Sequence, residues 1–289
     1  MRLKHLLLFA ACLHLAAAVG AYWAGRTGAF PGTFEPDGVA SFASDGFLYR
    51  RQVVELEAKL KDEDVAAWVR ARAAAHVKLY SLSFALFSPL FGPTILSAEP
   101  LNLFYYLATL FLIYAVGREA YDRRAGLLAS AAFAALCPTF LMHTTQLLKD
   151  PAFVVLALAL MLVCLKLLGR DYDLRGGLLA GLAGGGAAAA LWVVRSSMWW
   201  VVLAVVMLAC VLSVARQARA RVLLRGNLAG AALMLALALC ASHLITTKAF
   251  PQEPLPSYEP EVEETRAPED EEVAPGGLLS PVVKEISST

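Results

Sequence analysis

Asp45, Asp150 and Arg195 are the residues of this chain whose types and placement best suit chemistry. Asp45 stands in Ser44-Asp45-Gly46-Phe47-Leu48-Tyr49, shortly after the first apolar run. Asp150 stands in Lys149-Asp150-Pro151, between two apolar runs, and Arg195 closes a further one in Val194-Arg195-Ser196-Ser197. A charge at the rim of a bilayer is costly to bury, so it faces a water-filled site or a partner. A carboxylate in reach of a hydroxyl can accept its proton and stabilise positive charge developing at the atom under attack. Arginine offers a planar fork of donors that matches phosphate oxygens. Each residue also has a plainer reading. Asp45 suits a turn ahead of Gly46, Asp150 an N-cap for a helix beginning at Pro151, and Arg195 a side chain snorkelling to the interface.

The elements that must position them are membrane helices. The chain is 58% hydrophobic with a mean hydropathy of +0.60, far above a soluble domain, and its charges fall in short stretches between apolar runs. Spans of roughly 20 mostly apolar residues are expected at about 5–24, 100–117, 126–143, 151–169, 177–194, 198–215 and 226–246. The expected fold class is thus an all-α polytopic membrane protein with about seven transmembrane helices. Arg2 and Lys4 precede the first span, and Arg118, Arg123 and Arg124 follow the second. Lys166, Arg170 and Arg175 follow the fourth, and Arg216, Arg219, Arg221 and Arg225 the sixth. With the N-terminus inside, all of these basic groups fall in the cytoplasm, as the positive-inside rule requires. Asp45, Asp150 and Arg195 then share the outer face.

Residues 79–97 are apolar enough to enter the bilayer, and a full crossing there would make an eighth span. It would also invert every later loop, and Pro89, Gly92 and Pro93 break helices, so a re-entrant or interfacial helix is expected. The N-terminal run has the shape of a signal peptide but continues to Tyr22-Trp23 without a clear cleavage site, so an uncleaved anchor is expected. In the outer loop, about 25–78, the stretch Arg50 to Arg72 carries Val53, Leu56, Leu60 and Ala67 as an apolar stripe. It reads as an amphipathic helix lying on the membrane surface. The transmembrane module is taken as 1–249, followed over 250–289 by an acidic, proline-rich tail expected to be disordered. The five cysteines lie in apolar runs and imply neither disulfides nor a metal site. Trp199 and Trp200 suit an interfacial belt, and Gly184-Gly185-Gly186 suits close helix packing.

Three stretches resemble the polyprenyl-phosphate-sugar-dependent glycosyltransferases of superfamily C (GT-C), which include protein O-mannosyltransferases and lipid A aminoarabinose transferases. Asp45-Gly46-Phe47-Leu48-Tyr49 is similar to the acidic element of the first outer loop, with Gly46 where the family has a second acid. His76-Val77-Lys78-Leu79-Tyr80, running to Phe91-Gly92, is similar to a His-Pro-Pro-Leu-Tyr element, with Val77 and Lys78 in place of the prolines. Tyr114 to Gly126, with Gly117-Arg118, Arg123-Arg124-Ala125-Gly126, then Cys137-Pro138 and Asp150-Pro151, follows the family's order of motifs. The resemblance covers roughly residues 40–200.

It implies transfer of a sugar from a polyprenyl-phosphate donor to an acceptor at the extracytoplasmic face, by one inverting displacement. Asp45 and Asp150 are then the catalytic carboxylates. Arg195, His76, Tyr49, Lys149, Gln146 and His143 are the residues expected to bind substrate. Arg195 stands at about the position where some members have a lysine before glycine. No metal-ligand set is read; a cofactor is left open, a divalent metal being compatible with the chemistry. The expected partners are the donor lipid and the membrane, with no nucleic acid and the acceptor unassigned. The expected location is the bacterial inner membrane, multi-pass. Two other readings stay open. The chain is about half the usual length of such enzymes, which also suits a truncated, non-catalytic binding or scaffolding homologue. Acids and an arginine at one face suit a transporter as well, although charges deep in the spans would mark that, and almost none are evident.

Overall fold

The structure, a computed structural model, describes residues 2–244, so the expectation of a disordered tail over 250–289 lies outside the described residues. Among the described residues every regular element is a helix, apart from a single isolated β-bridge between Phe34 and Ala40. Six stretches are long and apolar enough to cross a membrane. Four are the helices α1 (Leu3–Thr27), α5 (Glu99–Ala120), α8 (Asp150–Gly169) and α9 (Leu174–Val194). The other two run Ser196–Ala220, mostly as α10 (Trp199–Ala220), and Arg225–His243 within α11 (Arg225–Leu244). A seventh crossing is formed if α6 (Arg123–Leu136) and α7 (Pro138–Thr144) are taken together. The chain is an integral, multi-pass membrane protein.

The third expected span is not continuous, because α6 and α7 meet at 77°. Cys137 at the break has φ −114° and ψ 60°, outside the helical region. Pro138 disfavours a helical residue before it and opens α7 without an N–H to donate. The segment read as re-entrant is the 17-residue helix α4 (Ala75–Phe91), which ends after Pro89 at Gly92. It is not among the helices long and apolar enough to span, so the eighth span is not supported.

The outer-loop helix differs from expectation at its start and in what it covers. It begins at Ser44, not near Arg50, and runs as α2 (Ser44–Ala58) into a π-helical turn over Lys59–Glu63. A short helix α3 (Val65–Arg70) follows, N-capped by Asp64, whose carboxylate accepts the Ala67 N–H at 2.5 Å. Val53 and Leu56 are buried in a cluster with Val77, Tyr80 and Phe84 of α4 and with Tyr105, Leu147 and Ala152. Val53 and Leu56 of the stripe therefore cover protein, because α4 presents an apolar face that burying it against α2 removes from water, whereas Leu60 and Ala67 fall beyond α2 and are only partly buried. Glu57 is buried alongside, held by Lys61 at 2.6 Å and by the Ser88 hydroxyl of α4.

Polar contacts mark the two ends of the bundle. At one end Arg170 makes two hydrogen bonds to Glu119 at 2.6 and 2.7 Å, and Arg216 meets Asp171 at 2.7 Å. Asn227 there donates to the carbonyls of Leu167 and Arg170 and accepts from the Tyr172 N–H. This end collects the C-termini of α5, α8 and α10 with the N-termini of α9 and α11, and it is the end the charge pattern assigns to the cytoplasm. The opposite end carries the segment from Gly28 to Phe91 and the N-termini of α5 and α8.

Glycine sets the closest approach. A Cβ on Gly177 would lie 1.9 Å from the carbonyl oxygen of Gly226, and one on Gly181 2.3 Å from that of Gly230. The next turns pair Gly184 with Met234 and Gly185 with Leu237. The expected close packing is thus present, and α11 is the partner. Gly117 and Gly126 do the same between α5 and α6, where a Cβ on Gly126 would lie 2.3 Å from the Tyr114 carbonyl.

Candidate functional site

The site grows from three helix ends and one loop. Asp45 lies in the first turn of α2 and Asp150 in the first turn of α8, where the exposed N–H groups and the helix dipole favour a carboxylate. Arg195 follows the last residue of α9. The 145–149 loop between α7 and α8 supplies Lys149.

Asp150 does not cap its helix: the residue preceding α8 is Lys149, and no side chain caps that end. The Asp150 Oδ1 instead accepts from Arg195 Nη1 at 2.5 Å. The Arg195 guanidinium also lies 5.8 Å from the centre of the Phe153 ring. Both side chains of the pair are partly open, at 36% and 49% exposure, so water screens the attraction and a solute can reach it. One N–H of five is committed to Asp150, which leaves the rest of the fork for another acceptor.

Beside this pair Lys149 Nζ stands 4.0 Å from Asp45 Oδ2 and 5.9 Å over the Tyr49 ring. Tyr49 Oη donates to the same Asp45 oxygen at 3.4 Å, one helical turn along α2. Burial raises the Tyr49 phenol's pKa above its ordinary value, with Lys149 opposing. His76 meets the Tyr49 ring edge-on with centroids 4.5 Å apart and is only 5% exposed. The arrangement puts two carboxylates and two cations on one patch, so the patch is close to neutral.

His76 lies behind the patch. Desolvation, with Lys149 adding to it and Asp45 opposing, lowers its pKa from 6.5 to about 4. A histidine with a depressed folded pKa is neutral in the fold while the unfolded chain takes up a proton below pH 6.5. Stability should therefore be full above about pH 6.5 and fall as pH drops towards 4, by about 3 kcal/mol for the whole interval. Thermal unfolding of the detergent-solubilised chain across this range checks it. His76→Gln should flatten the acid limb, and an unchanged limb would contradict the assignment.

The remaining expected substrate residues are placed differently. Gln146 is fully buried. Its Oε1 accepts the Ala40 N–H at 2.9 Å, and its Nε2 donates to Thr145 Oγ1 at 3.3 Å and to the Gly38 carbonyl at 3.5 Å. It ties the outer loop to the 145–149 loop and leaves no surface for a sugar. His143 engages the Thr139 carbonyl through Nδ1 at 2.8 Å and lies against Phe42, with centroids 5.6 Å apart. Among the described residues no group of three or more His, Cys, Asp or Glu is placed to hold a metal ion. A groove of about 620 Å³, bordered by Asp173, Arg175, Leu179, Leu182 and Leu233, lies at the opposite end and belongs to the apolar outer surface of α9 and α11.

One ionisable pair escaped the sequence reading. His14, the twelfth residue of the 25-residue α1, is fully buried, with Nδ1 2.6 Å from Glu99 Oε1 and Nε2 3.0 Å from Thr144 Oγ1. The available signal was a histidine in the middle of an apolar run and a glutamate opening another. No protein-family model, curated protein or solved structure matches the chain.

Proposed function

We propose that the chain is a membrane glycosyltransferase of the GT-C kind, transferring a sugar from a polyprenyl-phosphate donor to an acceptor at the extracytoplasmic face of a bacterial inner membrane. The observation that carries this reading is one patch in which a carboxylate beside a lysine, Asp45 with Lys149, adjoins a carboxylate beside an arginine, Asp150 with Arg195. Lys149 and Asp150 are consecutive, so the two pairs are joined through one helix start.

In this reading Asp45 takes the proton of the acceptor hydroxyl as its oxygen bonds to the anomeric carbon. The bond from that carbon to the donor phosphate oxygen breaks, and its electron pair leaves with the phosphate. Arg195 and Lys149 balance the charge gained there, which explains why each cation is held against a single carboxylate at a partly open surface. Asp150 aims Arg195. A carboxylate that orients a guanidinium keeps its remaining donors in a fixed plane, which a phosphate meets two at a time. Tyr49 positions Asp45 by its hydrogen bond, and His76 backs Tyr49.

The test is donor-lipid affinity of the full chain in detergent. Arg195→Ala should weaken polyprenyl-phosphate binding by roughly tenfold or more, the worth of a charge-assisted hydrogen bond, and Arg195→Lys by less, with helix content unchanged. A snorkelling arginine would be replaced fully by lysine, and equal binding by all three proteins would remove the phosphate site.

A further inference from the structure

We propose that α1 and α5 enclose a hydrated, proton-exchanging site inside the bundle, centred on His14 and Glu99 and distinct from the outer patch. It does not depend on the glycosyltransferase reading.

The proton count follows from the hydrogen bonds. Thr144 Oγ1 lies 3.0 Å from the Phe140 carbonyl and 2.8 Å from that of Leu141, so its one hydroxyl proton goes back to its own helix. Its lone pairs are left for His14, and the proposed site takes Nε2 as the nitrogen that carries the hydrogen of the 3.0 Å contact. Nδ1 and Glu99 Oε1, 2.6 Å apart, then have one proton between them. Moving it from the Glu99 carboxyl to Nδ1 turns a neutral pair into imidazolium and carboxylate. The net charge is zero in both forms, which is how an ionisable pair is tolerated where both side chains are buried. The titratable groups that face the pair are Tyr80 of α4, towards Glu99, and Tyr106 of α5, against the His14 ring; Tyr105 lies beyond Tyr80, and Cys137 beyond Tyr106. Among the described residues no other charged side chain forms an ion pair with either member.

A second, independent observation points to water. Glu99 Oε2, Asn102 Nδ2, Tyr106 Oη and Thr109 Oγ1 are all buried and have no hydrogen-bond partner among the described residues. Their residues follow one another at steps of three, four and three along α5, so they are neighbours on one helix face. Ten residues rise about 15 Å, roughly half the hydrocarbon thickness. The His14 and Tyr106 rings lie 4.9 Å apart, so the histidine belongs to the same face. Four orphaned groups in file, mixing donors and acceptors, are what a short chain of internal waters satisfies and what dry hydrocarbon does not. The file leads towards the outer end: Asn102 Oδ1 accepts from Tyr80 Oη at 2.8 Å, which also lies 3.2 Å from the Leu148 carbonyl, next to Lys149.

Nuclear magnetic resonance of the full chain in detergent, labelled uniformly with carbon-13 and nitrogen-15, tests this. His14 should show a protonated Nε2 and an Nδ1 sharing its proton. Magnetisation should pass from water to the side chains of Glu99, Tyr106 and Thr109. Glu99→Gln keeps the shape of the side chain and should convert Nδ1 to an ordinary acceptor nitrogen, with loss of the shared-proton signal. A folded wild type with no transfer from water to these side chains would overturn the proposal, as would an unprotonated Nε2. So would signals that change when sodium is replaced by a bulky organic cation, which would make the ligand a metal cation.

Discussion

Asp45→Asn should lower sugar transfer from a polyprenyl-phosphate donor by roughly 10²–10⁴-fold, the usual worth of a general base, while membrane insertion and donor binding stay as they are. The amide is isosteric with the carboxylate, still accepts from Tyr49 Oη, and cannot take up the acceptor's proton. Asp45 is exposed in the first turn of α2 and contributes nothing to the buried cluster of that helix, so loss of activity would not be loss of fold. The same substitution at Asp150 should act through Arg195. It weakens the 2.5 Å contact that orients the guanidinium, so donor affinity falls along with rate. Equal activity in the Asp45 variant would return that residue to a helix-start role.

Gly181→Leu should remove most of the stability of the α9–α11 pair, at a cost of at least about 3 kcal/mol, the upper range for forcing extra atoms into a packed interface. The neighbour is the Gly230 backbone carbonyl, 2.3 Å from where a Cβ would sit, and backbone has no alternative rotamer. The helices would have to separate, which also opens the contacts of Gly184 with Met234 and Gly185 with Leu237. Gly186→Ala is the control: nothing lies within 4 Å of its Cβ position, and alanine favours helix by about 1 kcal/mol over glycine. Thermal unfolding in detergent reads both. A tolerated leucine at 181, or an intolerant alanine at 186, would contradict the packing described.

The helical membrane class and most of the spans were legible because a bilayer demands long apolar runs, and short charged stretches mark where they end. The break at Cys137-Pro138 was written in Pro138 but hidden by apolar residues on both sides, which hydropathy alone reads as one span. The start of α2 was missed for a related reason. Gly46 beside Asp45 suggests a turn locally, yet the tertiary surface of α4 lets the helix begin at Ser44. Asp150 was legible as a helix start, but nothing local says that its carboxylate turns to Arg195, 45 positions away. Gln146 was placed near a sugar only because it is near Asp150 in sequence. The structure gives its amide to the loop at Gly38 and Ala40. His14 and Glu99 lie 85 positions apart, and no periodicity brings them together.

The most direct measurement is release of polyprenyl phosphate from a radiolabelled polyprenyl-phosphate sugar by the purified full chain in vesicles. That product forms whichever acceptor takes the sugar, water included. The account predicts donor cleavage by the wild type that is lost in Asp45→Asn and reduced in Arg195→Ala. A folded, correctly inserted wild type that cleaves no sugar-loaded donor, or one that cleaves equally well in Asp45→Asn, would contradict it.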